Sequence, residues 1–301
     1  MPREALFATP QSRRRFLGSM VLGAAGVALA CTSSKSKQEA ATPRPSASSV
    51  IGPGSFDSNG VRIHYEVTGT GRPIVLLHGW ANNYQMNWVD TGWVETLSPL
   101  RQVIGVDQRG HGASDKPHDA ASYETAPMAS DIVSLLDHLK IDRADIFGYS
   151  MGGQVTAGLL AQTPGRVSAA IMGGVGPNFF EHGPSELAAV VDALLAPDSA
   201  SVENETLRAV RDLYASQGND LAALAAWLQA DHFAATTAEL ADVLLPVLVV
   251  NSEADAEGAA VAAAFPGAQL EVIPGTNHIS VVPDQRFKDR VVRFLNEIDA
   301  A

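Results

Sequence analysis

Ala144-Asp145-Ile146-Phe147-Gly148-Tyr149-Ser150-Met151-Gly152 leads from an apolar stretch, through a glycine-flanked serine, into a segment of small residues. Ala144–Phe147 reads as a short strand and Met151–Ala161 as a small-residue helix. The five residues from Gly148 to Gly152 therefore have the form G-x-S-x-G in the strand-to-helix setting that this pattern requires. The spacing has a steric reason. A serine on so sharp a turn has a strained backbone, and neighbours at close approach must lack side chains. The turn lifts the hydroxyl clear of the sheet. The helix below presents backbone N–H groups and the positive end of its dipole, both suited to developing negative charge. Ser150 is the candidate nucleophile.

Apolar runs and helical stripes alternate on either side of this stretch. Val61–Val67 alternates apolar with polar residues, as in a half-buried strand. Pro73–Leu77 and Val103–Val106 are continuous apolar runs, as in strands covered on both faces. Val167–Met172, Val247–Val250 and Gln269–Ile273 read as further strands. Helices are predicted over Tyr84–Leu97, Met128–Leu139 and Phe287–Ile298, the last two on apolar stripes of helical period. This order implies βαβ units: an α/β fold with a mainly parallel central sheet flanked by helices. Residues of about 177–241 interrupt the alternation with helical segments and no clear strand, and read as an inserted helical cap. The alternative is a segment that only pads one face of the sheet.

Three further loops follow predicted strands. His78-Gly79-Trp80 follows Pro73–Leu77 and fits a loop whose backbone N–H at Trp80 pairs with that of Met151 to hold an oxyanion. The His78 side chain reads as structural. Asp107-Gln108-Arg109-Gly110-His111-Gly112-Ala113-Ser114 reads as a buried, hydrogen-bonded turn in which Asp107 and Arg109 can pair or cap, with a pocket wall as the alternative. Asp255 lies in the turn after Val247–Val250, with Glu253 and Glu257 as rival carboxylates in the same loop. His278, in Pro274-Gly275-Thr276-Asn277-His278, follows the last strand and is the candidate base.

The set HGW, DQRGHGAS, GYSMGG, a strand ending near an Asp, and GTNH resembles the α/β-hydrolase superfamily from about Phe56 to the C-terminus. The resemblance implies the chain order nucleophile, acid, histidine, which falls on Ser150, Asp255 and His278. The family usually has Gly three residues before the acid, and this chain has Ser252. The implied chemistry is acyl transfer with no metal or organic cofactor. A serine nucleophile argues against the dehalogenase and epoxide hydrolase branches, which resemble this one but use Asp there. The expected activity is that of a carboxylesterase acting on a small-molecule substrate, an apolar ester of small to medium size. Lactone, thioester, amide or carbon–carbon bond hydrolysis and perhydrolysis stay open, as does a non-catalytic binding module on the same scaffold.

The N-terminus reads as an address. Arg13-Arg14-Arg15-Phe16-Leu17 and an apolar run to Ala30 make a secretory signal over residues 1–30, and the arginines before Phe-Leu resemble a twin-arginine signal. Ala28-Leu29-Ala30-Cys31 fits either cleavage after Ala30 or a lipobox that lipidates Cys31, the chain's single cysteine. Residues 31–55 read as a flexible tether, and 56–301 as the hydrolase domain. The expected location is outside the cytoplasm, anchored at the cell envelope through Cys31 or else secreted. The net charge is −12, and removal of residues 1–30, which carry +3, leaves −15. So acidic a body argues against nucleic acid as a partner.

Overall fold

The computed structural model of the chain describes residues 52–180, 187–255 and 257–301. The signal expected over 1–30, Cys31 and residues 32–51 of the expected tether lie outside the described residues. The tether's last four positions do not behave as linker. Residues 52–55 open strand β1 (Gly52–Ser58), which pairs antiparallel with β2 (Val61–Thr68). Gly-Pro-Gly-Ser composition hides this strand because backbone pairing holds it. Its partner is fixed by a two-residue turn at Asn59-Gly60, both with positive φ, which matches the twist of a hairpin.

β3 (Pro73–Leu77) leads into a single wide helical turn at Gln85–Val89 and helix α1 (Trp93–Leu97). The continuous helix expected over Tyr84–Leu97 is broken here. Gly92 takes φ 79°, a left-handed conformation that ends one turn and redirects the chain into α1. β4 (Gln102–Asp107), α2 (Thr125–His138), β5 (Ala144–Tyr149), α3 (Met151–Gln162) and β6 (Val167–Gly173) follow the sequence expectation to within a few residues.

Between β6 and β7 the described chain is helical: α4 (Ala188–Leu195), α5 (Glu205–Ser216), α6 (Leu221–Gln229) and α7 (Thr237–Ala241), joined by short turns. β7 (Val247–Ser252), α8 (Gly258–Ala262), β8 (Gln269–Ile273) and α9 (Gln285–Asp299) complete the chain.

The sheet has eight strands in the order β1-β2-β4-β3-β5-β6-β7-β8. The β1–β2 and β2–β4 pairings are antiparallel, and every pairing from β4 through β3 to β8 is parallel. Each face carries its own core. On one, α2 and α3 pack Met128, Ile132, Leu135, Val155 and Leu159 against Val75, Leu77 and Ile146. On the other, Trp88, Trp93, Phe147 and Phe287 interlock edge to face, with ring centroids 4.7–6.1 Å apart.

This topology fixes where a site can lie. From β3 the chain moves outward to β4, then crosses back to place β5 on the other side of β3. The carboxyl ends of β3 and β5 therefore diverge into loops on opposite faces, the crevice at which open α/β sheets bind ligands. The Leu77↔Gly148 pairing brings the His78–Trp80 loop level with Ser150.

Candidate active site

Ser150 takes φ 53° and ψ −113°, a conformation that an L-residue holds only when its surroundings impose it. Two close approaches impose it. A Cβ on Gly148 would lie 2.0 Å from the Gly152 carbonyl oxygen, and one on Gly152 would lie 2.0 Å from the Leu77 carbonyl oxygen. Only hydrogen fits at either place, so α3 rests directly on β3. The Ser150 N–H donates to the Gly173 carbonyl at 2.8 Å, which ties the turn to β6.

The parallel strands deliver the remaining groups to the same edge. His278, five residues beyond β8, places Nε2 3.1 Å from Ser150 Oγ. Its Nδ1 lies 2.9 Å from Asp255 Oδ2, three residues beyond β7. Since a carboxylate only accepts, Nδ1 carries the proton and Nε2 is left to accept from the serine. All three side chains are buried, Ser150 retaining 8% exposure. The structure thus brings together the three residues singled out in the sequence. Glu253 is exposed and accepts from the Gly275 N–H at 2.9 Å, and Glu257 is the residue preceding α8.

Several residues that support this relay went unread in the sequence. Ser252, where Gly was the family expectation, donates its hydroxyl to Asp255 Oδ2 at 2.8 Å and accepts the Asp255 N–H at 3.1 Å. Asn251 bonds the Asp255 carbonyl and both backbone groups of Val175, so the acid's turn is fastened to the end of β6. Tyr149 donates its hydroxyl to the His278 carbonyl at 2.5 Å, and burial raises its pKa well above the ordinary value. The departure from Gly at 252 was the one available signal; Asn251 and Tyr149 carry none.

The loop after β3 is set by two histidines. A Cβ on Gly79 would stand 3.5 Å from Ser150 Cβ, so this loop lies directly against Ser150. His78 donates Nδ1–H to the Gly79 carbonyl at 2.8 Å and accepts the Gln108 N–H at 3.0 Å. His111 donates Nδ1–H to the Arg109 carbonyl at 3.0 Å and accepts the Ala81 N–H at 3.2 Å. His78 is therefore structural, as expected. Asp107 and Arg109 do not pair with each other. Asp107 accepts from the backbone N–H groups of Tyr84 and Ala113, each at 2.8 Å, and Arg109 grips Asp131 through two 2.7 Å bonds.

Burial holds His78 neutral, with its pKa lowered to about 4. Burial and then the neighbouring His78 lower that of His111 to about 3. Each nitrogen that accepts a backbone N–H would lose that bond on protonation. Both folded-state values lie below the ordinary 6.5, so the unfolded chain binds protons that the folded chain refuses. The stability these groups contribute is complete above pH 6.5 and drains as pH falls towards 4. Scanning calorimetry should record a Tm lower by on the order of 10 °C at about pH 4.5 than at pH 7. A Tm unchanged across that window would refute the assignment.

Among the described residues no group of three or more His, Cys, Asp or Glu could hold a metal ion, and no helix is long and apolar enough to cross a membrane.

The sequence profile of the family described as "alpha/beta hydrolase fold" matches residues 72–239, more than half of the chain. The chain belongs to the α/β-hydrolase family. A soluble epoxide hydrolase of Corynebacterium sp. (strain C12) is 37% identical over 97 residues, 32% of each chain. The chain spans only 32–41% of the length of the first three curated relatives it matches. Among solved structures, the enol-lactonase from Burkholderia xenovorans LB400 superposes with a TM-score of 0.66 at 25% identity, covering 81% of this chain and all of that one. The esterase RhEst1 from Rhodococcus sp. ECU1013 gives 0.65 at 25% identity, covering 81% and 98%.

Proposed function

We propose that the chain is a serine carboxylesterase that cleaves small to medium, largely apolar esters through an acyl-enzyme. The observation that carries this reading is the continuous relay from Asp255 Oδ2 through His278 to Ser150 Oγ, at 2.9 and 3.1 Å, on a strained serine turn. His278 Nε2 takes the Ser150 proton as Oγ attacks the ester carbonyl. Asp255 keeps the proton-bearing Nδ1 turned inward and stabilises the imidazolium that forms. The backbone N–H groups of Trp80 and Met151 hold the oxyanion, and loss of one such donor costs roughly 3 kcal/mol. Protonated His278 then hands its proton to the leaving alcohol. Water repeats the attack on the acyl-enzyme and releases the acid.

The apolar preference rests on what surrounds Trp80. Tyr214 and Trp227 of the cap pack against its ring, at 5.2 and 6.0 Å between centroids. The helical segment after β6 thus packs aromatic rings against the loop beside Ser150. Similarity to an esterase structure supports the reading. Similarity to an enol-lactonase favours lactones as a second substrate class, since a lactone is an internal ester opened by the same two steps. The test is hydrolysis of p-nitrophenyl esters of increasing acyl length, together with capture of Ser150 by a fluorophosphonate. Hydrolysis with a length optimum and a mass shift on the Ser150 peptide support the esterase. A folded protein that hydrolyses no ester removes that reading and leaves amide or carbon–carbon substrates, or a binding module.

From the sequence of residues 1–31 we further propose that the chain is exported and tethered to a membrane surface through lipidated Cys31. Fractionation of expressing cells tests this. The chain should leave the membrane fraction when Cys31→Ala is introduced, and retention of the variant there would refute the anchor.

A further inference from the structure

Four histidines are buried among the described residues: His78, His111, His232 and His278. In three of them both ring nitrogens are bonded within the protein. His232 differs. It is 7% exposed, yet neither Nδ1 nor Nε2 has a hydrogen-bond partner among the described residues. Buried polar groups are rarely left so, because desolvating them without compensation is unfavourable. A phenylalanine or leucine would fill the same space without that cost, so packing alone does not account for an imidazole here.

Its position relates it to the chemistry. His232 lies in the segment between α6 and α7. Gln154, one turn along α3, donates its own N–H to the Ser150 carbonyl and its side-chain amide to the His232 carbonyl at 2.6 Å. The His232 main chain is thereby fixed to the side chain of a residue one helical turn from Ser150. Its ring stacks on Trp227 with centroids 3.9 Å apart, and Trp227 packs on Trp80 of the loop beside Ser150. His232 is thus tied through its main chain to Gln154 of α3 and through its ring to Trp227, which packs on the loop beside Ser150. Burial lowers its pKa to about 4; the Trp227 backbone is close enough to oppose that shift but does not reach hydrogen-bond geometry. At neutral pH the ring therefore offers one donor, one acceptor and no charge.

We infer that His232 is a specificity-determining residue of the cap, and that the substrate carries on its apolar body a neutral hydrogen-bonding group, a hydroxyl or keto oxygen, that pairs with this imidazole. The inference rests on the esterase reading and narrows it. A site with an unpaired buried polar group discriminates strongly, because a substrate lacking the complementary group leaves that group desolvated and unsatisfied.

The experiment compares p-nitrophenyl acyl esters of equal length, plain or bearing one hydroxyl or keto oxygen at successive positions of the acyl chain. It reads the kcat/KM ratio of oxygenated to plain ester for the full chain, for His232→Phe and for His232→Gln. At one position the wild-type ratio should reach about tenfold or more, His232→Phe should abolish it, and His232→Gln should recover part of it. A merely structural role would lower both rates together and leave the ratio fixed. A wild-type ratio near one at every position, or a ratio unchanged in both variants, overturns the role of His232 while ester hydrolysis itself stands. If His232→Phe does not fold, the wild-type ratio and His232→Gln decide. Failure of the folded wild-type chain to hydrolyse either ester overturns the esterase reading, and this inference with it.

Discussion

Ser150→Ala is expected to lower kcat/KM for ester hydrolysis by about 10⁴-fold or more while the protein stays folded. The substitution removes the atom 3.1 Å from His278 Nε2 and leaves the His278–Asp255 pair intact. The backbone bond from residue 150 to the Gly173 carbonyl survives, and alanine bears the φ of 53° no worse than serine does. What remains is catalysis by water held near the oxyanion donors, which leaves a small residual rate. The ester assay and the fluorophosphonate label together check this. Loss of both with an unshifted Tm is the expected pair of results. Activity within a few-fold of the unsubstituted protein would mean that another group attacks.

Asp255→Asn is expected to cost nearly as much, on the order of 10⁴ in kcat, with little change in KM. The reason is the proton on His278. Asp255 Oδ2 only accepts, so Nδ1 must donate and Nε2 is free to take the serine proton. An asparagine amide facing Nδ1 donates instead, which moves the ring proton to Nε2 and removes the base. The same substitution also unsettles the Ser252 hydroxyl, which donates to this carboxylate. Glu253→Gln removes the carboxylate that caps Gly275 on the exposed side of the turn, and should change kcat by no more than about twofold. Single-turnover kinetics of the two variants separate the candidates. A loss in Glu253→Gln comparable to that in Asp255→Asn would overturn the assignment of the acid.

The candidate nucleophile and the sheet were legible for a shared reason. Strand and helix periods are local, and the serine motif sits where one gives way to the other, so Gly148, Ser150 and Gly152 could be placed without tertiary knowledge. The steric demand read from the motif reappears as the 2.0 Å approaches at both glycines. The continuous apolar runs became parallel strands because helices cover both faces. Less was legible where backbone pairing or a single φ decides. β1 looked like tether because its polar and glycine residues are held by β2, and the helix expected over Tyr84–Leu97 is broken by the left-handed Gly92.

By itself the sequence determined the α/β order of elements, the identity of the triad candidates and the loops that carry them. It left Asp255 in competition with Glu253 and Glu257, since carboxylates two residues apart in one turn are indistinguishable by spacing. Only the tertiary structure distinguishes Asp255 from Glu253, because the parallel register of β7 on β8 buries Asp255 facing His278 and turns Glu253 outward to Gly275. The tertiary structure alone also separated His78 and His111, whose nitrogens are consumed by backbone groups, from His232, whose nitrogens are not. A histidine's role depends on what meets its two nitrogens. One partner of each of His78 and His111 lies 30 residues away, and 78 residues separate His232 from the Gln154 that fixes it, distances at which sequence periodicity carries no information.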